Sequence, residues 1–372
     1  MSNPITFELN NQLVTPVLRG IFGKDAEPRD LEIVALKPGA GNPTSLGVYR
    51  VSGTVDVSGR SESFSVVVKH LANGQPVLDA SSPLNWNYWL REIAFFESRL
   101  TSLIPPSIGF PENLGHSRLD DGTALFWNED LGDLTKTEWT WNDCLHAAEL
   151  VAELNSTDAA VVAEYEWLNR SQVQGWAELH DNWGSFDAVY PLLVEAAKQS
   201  SAGKATMDLI DPFLDHKNGR IAEILRAGRH SFVHGDFNLN NLVCQRSGDI
   251  SLIALDWQLC GTARLGTEVV AIFNTAIEHK VVDVEAARFN EICEVYATKF
   301  NELNPGEPLS LDEVRVAAAA MGYFIVVGMG FFFNMPDPQF TGAENLARVS
   351  NMLDGFGEGC ASLYAKVLRE LS

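Results

Sequence analysis

The sequence predicts an α+β chain with its strands concentrated in the first third and helices filling the remainder. Between residues 31 and 69 apolar and polar side chains alternate, with Phe64, Val66 and Val68 on one face and Ser65, Val67 and Lys69 on the other. That is the two-residue period of a strand. From residue 141 onward apolar residues such as Cys144, Leu145, Ala148, Val151 and Ala152 recur at helical spacing, the signature of buried helix faces. A length of 372 residues allows two domains, or one two-lobed domain, with a sizeable core.

Composition narrows the partners. Charged residues at 20% and hydrophobic residues at 46% are ordinary globular values. The 27 basic residues against 49 acidic ones give a formal charge of -22. This argues against nucleic-acid and anionic-membrane partners, because neutralising phosphate takes Lys and Arg. A cationic substrate would be welcome in such a field, and excess acid also serves solubility. The five cysteines (Cys144, Cys244, Cys260, Cys293, Cys360) are scattered without C-x-x-C spacing. Neither a disulfide framework nor a zinc site follows, and a reducing, cytoplasmic location is expected. Met1-Ser2-Asn3-Pro4 lacks the basic and apolar regions of a signal peptide. Residues 316–333 carry no charge and reach the lower limit for a spanning helix. Their Ala and Gly content, with Glu313 and Arg315 just before them, favours a buried helix and no membrane partner.

Taken in order, residues 10–22 have helical spacing, and 31–36 and 48–51 read as strands around a turn containing Gly39, Gly41 and Gly47. Such a turn suits either a lid of backbone N–H groups over phosphate or a plain hairpin loop. Residues 51–57 and 64–69 pair across Ser58-Gly59-Arg60-Ser61, and the second strand closes on Lys69. Trp86, Trp89, Leu90, Ile93, Phe96, Leu100 and Leu103 predict an amphipathic helix of about five turns. Glu92 flanks its apolar stripe, and Glu97 lies on the other flank. Residues 124–127 form a strand running into Asn128-Glu129-Asp130-Leu131-Gly132-Asp133. Thr140 with Asp143 resembles a capping box. Helices are expected over 165–183, 191–198, 207–214, 221–225, 283–300, 310–333 and 342–371.

The chemistry concentrates after the strand at 231–233, in Val233-His234-Gly235-Asp236-Phe237-Asn238-Leu239-Asn240-Asn241. Two more strand-like runs, 242–244 and 250–255, join across Arg246-Ser247-Gly248-Asp249 and deliver Asp256 at a strand end. An Asp and an Asn five residues apart, with a second Asp beyond a hairpin, suit phosphoryl transfer from a nucleotide. One carboxylate takes the proton of the attacking hydroxyl, and an Asn oxygen and another carboxylate hold magnesium. His-Gly-Asp and Asn-Asn are also ordinary turn material, and it is Asp256 after the hairpin that raises the catalytic reading above that.

His234-Gly235-Asp236 followed by Asn241 matches H-x-D-x-x-x-x-N. With Gly in second place and a following Leu255-Asp256-Trp257, the chain resembles the aminoglycoside phosphotransferase and choline kinase-like family of small-molecule kinases. The resemblance implies a two-lobed protein-kinase-like fold. Residues 1–130 would be a nucleotide-binding lobe with an antiparallel sheet plus helix, and 131–372 a mainly helical catalytic and substrate-binding lobe. It implies ATP and Mg2+ as cofactors, Asp236 as catalytic base, and Asn241 and Asp256 as metal ligands. Lys69, ending Val66-Val67-Val68-Lys69, would hold the α and β phosphates, oriented by Glu92. Backbone groups of Glu129 to Leu131 would meet the adenine. Glu268 stands where relatives have an Asp capping the next helix. Departures are the absence of G-x-G-x-x-G, Trp257-Gln258 in place of Phe-Gly, and no A-P-E segment, which favour a small-molecule branch over a protein kinase.

The implied partner is a small-molecule hydroxyl acceptor. Asp133, Glu268 and the overall charge point to an amine-bearing acceptor such as an aminoglycoside or choline. Trp139, Trp141, Tyr323 and Phe331 to Phe333 fit a larger apolar alcohol equally well. The Leu-Asp-Trp-Gln wording leans toward the ecdysteroid-kinase-like branch. A degenerate kinase that binds nucleotide without turnover is the alternative, opposed by the intact set Lys69, Asp236, Asn241 and Asp256.

Overall fold

The computed structural model describes residues 9–38, 44–73, 80–132, 138–157, 162–170, 220–244, 252–325 and 359–371, besides positions 195, 198, 343, 344 and 347. The expected helix at 207–214, that at 191–198 save positions 195 and 198, most of 165–183, residues 326–333 with Phe331 to Phe333, most of 342–358, and Asp133 lie outside them. So does most of the 39–47 turn.

The chain opens with helix α1 (Asn11–Phe22). Asn10 caps it, its side-chain oxygen accepting from Leu13 N at 3.3 Å. Strands β1 (Glu27–Pro38), β2 (Ser45–Val57) and β3 (Arg60–Leu71) then form an antiparallel meander. After helix α2 (Arg91–Glu97) and short strand β4 (Ile108–Gly109), β5 (Asn113–Arg118) and β6 (Ala124–Glu129) complete a five-stranded sheet in the order β1-β2-β3-β6-β5. One face buries Val51, Val55, Phe64, Val66, Val68, Leu125 and Trp127 against Val14, Val17 and Leu18 of α1. The other sets Leu71, Ala124 and Phe126 against Ile93 of α2 and against Trp89. In the β3–β6 register Lys69 faces Phe126, so Lys69 shares the face that α2 covers.

The five-turn helix expected over 86–103 is shorter than its apolar stripe. Ser98 (φ -92, ψ 166) ends α2, and its hydroxyl accepts from Leu100 N at 3.2 Å, starting a separate 3-10 turn over Arg99–Leu103. Serine favours such local bonds over a helix interior. The stripe continues across the break because Leu100 packs into the large core while Trp89 and Ile93 serve the sheet.

The large lobe begins at α3 (Trp141–Leu154), whose capping box joins Thr140 and Asp143 as expected. Residues 165–170 form turns in place of the start of the expected helix. There Asn169 bridges to Gly261 so closely that a Cβ at Gly261 would overlap the Asn169 carbonyl. Helix α4 (Arg220–Arg226) leads to β7 (His230–Val233), the loop to β8 (Leu242–Cys244), then β9 (Leu252–Ala254) and β10 (Gly261–Arg264). β7 pairs with β10, while β8 and β9 are an antiparallel pair with β4 added in parallel to β9. Helices α5 (Val269–Glu278), α6 (Ala286–Leu303), α7 (Leu311–Tyr323) and α8 (Cys360–Leu371) enclose a core containing Phe273, Phe289, Tyr296 and Tyr364. The uncharged segment from 316 enters the structure as α7, buried at Ala317 to Tyr323. No helix among the described residues is long and apolar enough to cross a membrane. The architecture is α+β in two lobes.

Thr140→Ala removes a hydroxyl that caps α3 by accepting from Asp143 N at 3.3 Å and that donates to Asp143 Oδ2 at 2.7 Å, and is expected to cost about 1 kcal/mol. Urea denaturation at constant slope is the measurement. An unchanged midpoint would show that the box contributes nothing.

Candidate active site

Three elements distant in sequence converge where the lobes meet. Lys69, at the end of β3, donates from Nζ to Glu92 Oε2 of α2 at 2.7 Å and to Asp256 Oδ1, beyond β9, at 2.8 Å. The Lys69 and Glu92 side chains are 13% and 5% exposed, and that of Asp256 33%. Burial alone would lower the Lys69 pKa, but Asp256 and Glu92 together raise it above the ordinary lysine value. The two carboxylates thus favour the charged ammonium. Glu97, the other glutamate on the helix, turns away to His116 at 3.5 Å and stays exposed.

Asp256 is held in place by its backbone. Among the described residues it is one of few non-glycines in the left-handed region (φ 64, ψ 64), a conformation that persists only where surroundings impose it. The next residues impose it here. Trp257 N donates to Glu92 Oε1 at 3.3 Å, and the Trp257 ring stacks on Phe95 of α2 at 4.3 Å between centroids. The Gln258 amide donates to Thr44, the residue before β2.

The His234–Asn241 loop presents the second half of the site. Asp236 Oδ2 accepts from Asn241 Nδ2 at 2.7 Å, and Oδ1 from Asn238 Nδ2 at 2.6 Å. Asn241 also donates to the Asp236 carbonyl at 3.0 Å, so its amide nitrogen is committed to Asp236 and its oxygen is what it offers a cation. His234 is buried, and burial lowers its pKa to about 4. As a neutral ring it donates from Nε2 to Leu255 O at 3.0 Å, and Nδ1 accepts from Asp236 N at 3.2 Å. His234 thus ties the 234–241 loop to the residue before Asp256. Gly235 is required between them: its φ is +88 and a Cβ would overlap the Leu259 carbonyl.

Glu268 departs from its expected role. It occupies the N-cap position of α5, but with helical backbone (φ -75, ψ -22) it makes no side-chain cap bond. A cap of that kind needs an extended residue. Its buried carboxylate instead accepts from Gly235 N at 2.8 Å and Asn155 Nδ2 at 3.2 Å, bracing the 234–241 loop from behind. Asn155 in turn donates to Phe232 O and accepts from Tyr296 OH, both at 2.8 Å. So enclosed, Glu268 is unsuited to meeting an amine on an acceptor.

At the junction of the lobes, Glu129 is exposed and exchanges bonds with Glu112, its N–H donating to the Glu112 carbonyl at 2.9 Å. Leu131 is half-buried. The chain there is shaped by the side chain of Asp130, for which only a backbone role was expected. Its carboxylate accepts from Arg50 Nε and Nη2 at 2.7 and 2.9 Å, from Ser65, and from Gly132 N at 3.0 Å. Burial alone would raise the Asp130 carboxyl, but these bonds hold it below its ordinary range. Just before it, buried Asn128 has a side-chain oxygen with no hydrogen-bond partner. It stands opposite Val67 on β3, on the face that carries Lys69. Buried amide atoms without a partner are uncommon, but the Asn87 and Asn274 side-chain nitrogens and the Asn290 side-chain oxygen are in the same state, so the orphan alone marks no ligand site, and no spacing rule in the sequence singles Asn128 out. Of the aromatic residues considered for an acceptor, Trp141 packs on Phe273 and donates to Glu291 at 3.0 Å, and Tyr323 is buried in the core.

No family profile matches the sequence, and no curated protein sequence does. Solved structures do match over nearly the whole chain. The GDP complex of an aminoglycoside 2'-phosphotransferase-IIIa mutant is similar at 12% identity and a TM-score of 0.53, covering 98% of this chain and 100% of that one. Spectinomycin phosphotransferase with ADP and spectinomycin is similar at 11% identity and 0.53, covering 98% and 99%. Amicoumacin kinase with AMP-PNP, Ca2+ and its substrate is similar at 12% and 0.51, covering 98% of each chain. At these identities the likeness is one of fold. The fold is the two-lobed, kinase-like one of the aminoglycoside phosphotransferases, in agreement with the resemblance carried by the catalytic-loop motif.

Burial, opposed by the bonds from Gly235 and Asn155, pushes Glu268 up to about 7 from an ordinary 4.5. A raised carboxyl penalises the folded state once ionised, so the penalty is absent below pH 4.5 and complete above pH 7. The stability of Glu268→Gln relative to wild type is expected to rise by about 3 kcal/mol between pH 4.5 and pH 8, from 1.36 kcal/mol per unit. Denaturation at both pH values measures it. The same difference at both would remove Glu268 from this role.

Proposed function

We propose that the chain is a kinase that transfers the γ-phosphoryl group of ATP to a hydroxyl of a small molecule. The observation that carries this reading is the convergence of Glu92 and Asp256 on Lys69, beside a loop in which Asn241 holds Asp236. Phosphoryl transfer is catalysed by placing charges and reactants, with little covalent chemistry for the protein to do. Residues 1–130 would hold the nucleotide and 131–372 the acceptor.

Lys69 would bind the α and β phosphates, Glu92 would keep it pointed at them, and backbone groups from Glu129 to Leu131 would meet the adenine. Asn241 and Asp256 offer an amide oxygen and a carboxylate, a set of hard oxygen donors that fits magnesium with part of its shell left to phosphate. When bound, magnesium would neutralise charge on the phosphate oxygens. Asp236 would orient the acceptor hydroxyl and take its proton. The acceptor oxygen bonds to the γ-phosphorus as the bond to the β-phosphate oxygen breaks, leaving ADP. The bonds from Asn238 and Asn241 fix the Asp236 carboxylate for this task. Relatives in fold that are phosphotransferases of spectinomycin and amicoumacin support a small-molecule acceptor.

The test is ADP release and mass-detected phosphorylation of amine-bearing and apolar alcohols with ATP and magnesium. Asp236→Asn is expected to lower kcat by about 10²–10⁴ while nucleotide binding persists. Unchanged turnover would remove Asp236 from the base role, and nucleotide binding without turnover on any acceptor would favour a binding module.

A further inference from the structure

Arg91 adjoins Glu92 on α2 and is fully buried, 0% exposed. No carboxylate lies within ion-pair distance of it among the described residues. Its guanidinium is spent on backbone carbonyls instead. Nε donates to Trp167 O at 2.7 Å, Nη1 to Trp86 O at 2.7 Å and to Gln258 O at 3.1 Å, and Nη2 to Asn85 O at 2.5 Å. Four of its five N–H donors are thus engaged. Burial without a counter-charge lowers its pKa to about 10, which leaves it protonated at neutral pH. A buried unpaired guanidinium is costly, so a purely structural helix would gain by carrying an apolar residue here.

The carbonyls belong to three segments that must stay in register for the site to exist. Asn85 and Trp86 precede α2, Trp167 lies in the large lobe, and Gln258 stands two residues after Asp256. The same face of α2 also meets the Asp256 turn through Glu92 and Trp257 N, and through the Phe95–Trp257 stack. We propose that Arg91 is a positioning residue that pins α2 to the Asp256–Gln258 turn, so that Glu92, Lys69 and Asp256 are assembled before any nucleotide arrives. This rests on the reading of that trio as a phosphate site. The chain then needs no separate step to bring its helix inward, and its nucleotide affinity is not reduced by the population of an outward form.

A double-mutant cycle tests it. ATP affinity with magnesium is measured by calorimetry on wild type, Arg91→Lys, Glu92→Ala and the double variant, with hydrogen exchange at the Trp257 amide as an independent readout. Lysine keeps the charge but cannot span three segments with a planar fork. Arg91→Lys is expected to weaken ATP binding about tenfold in the wild-type background and less than twofold with Glu92→Ala, because the two act through one arrangement. Protection of Trp257 should fall at least tenfold without nucleotide. Equal losses in both backgrounds, or unchanged Trp257 protection, would overturn the proposal. If circular dichroism shows Arg91→Lys unfolded, Phe95→Leu, which loosens the same helix from the Trp257 side, takes its place in the cycle with the same criteria. Failure of wild type to bind ATP while Arg91→Lys still exposes Trp257 would instead sink the phosphate-site reading and keep the pin.

Discussion

An ammonium group sealed from most of the solvent has to be neutralised in place, and here Lys69 is neutralised by two carboxylates from opposite ends of the fold. Glu92 arrives from α2 in the small lobe and Asp256 from a turn 187 residues beyond Lys69. Removing Lys69 would leave two carboxylates without compensation in a poorly solvated place, a cost of several kcal/mol in buried pairs. The lobes are therefore fastened at the point where chemistry is expected. The rest of the site is built around that fastening. Trp257 and Gln258 tie the Asp256 turn to α2 and to Thr44, and His234 ties the 234–241 loop to Leu255.

The 234–241 loop is stiffened from a second side by groups that never face the solvent. Glu268, Asn155 and Tyr296 form a buried chain of hydrogen bonds behind Gly235. Fully satisfied networks of this kind hold one geometry because every alternative strands a buried polar atom. Phosphoryl transfer asks little of a protein beyond placement, and an error near 1 Å is expensive. A carboxylate such as Asp236, held by two amides in front and braced from behind, suits that demand.

Strand β5 and the contact of Lys69 with Asp256 were not legible in the sequence; the fold class, strands β1, β2, β3 and β6, the capping box at Thr140 and the pairing of Lys69 with Glu92 were. Each rests on local periodicity or on a motif whose spacing is set by the chemistry. The length of α2 was not legible, because an apolar stripe runs unbroken past Ser98 while the backbone does not. Glu268 was legible as a position but not as a role. Its side chain could turn to the cap or to the loop, and only packing against Asn155 decides between them. Arg50, Asp130 and Arg91 left no signal, because their partners lie across the sheet or are backbone carbonyls that any residue supplies. Asn128 is similar, being marked only by what its oxygen lacks.

The central claim is that Lys69, Glu92 and Asp256 form a nucleotide phosphate site. The most direct measurement is a crystal structure of the protein soaked with a non-hydrolysable ATP analogue and magnesium. The account predicts α or β phosphate oxygens within hydrogen-bond distance of Lys69 Nζ, and a metal ion held by the Asn241 amide oxygen and the Asp256 carboxylate. Nucleotide bound elsewhere, with Lys69 still closed on Glu92 and Asp256 and in contact with no phosphate, would contradict it.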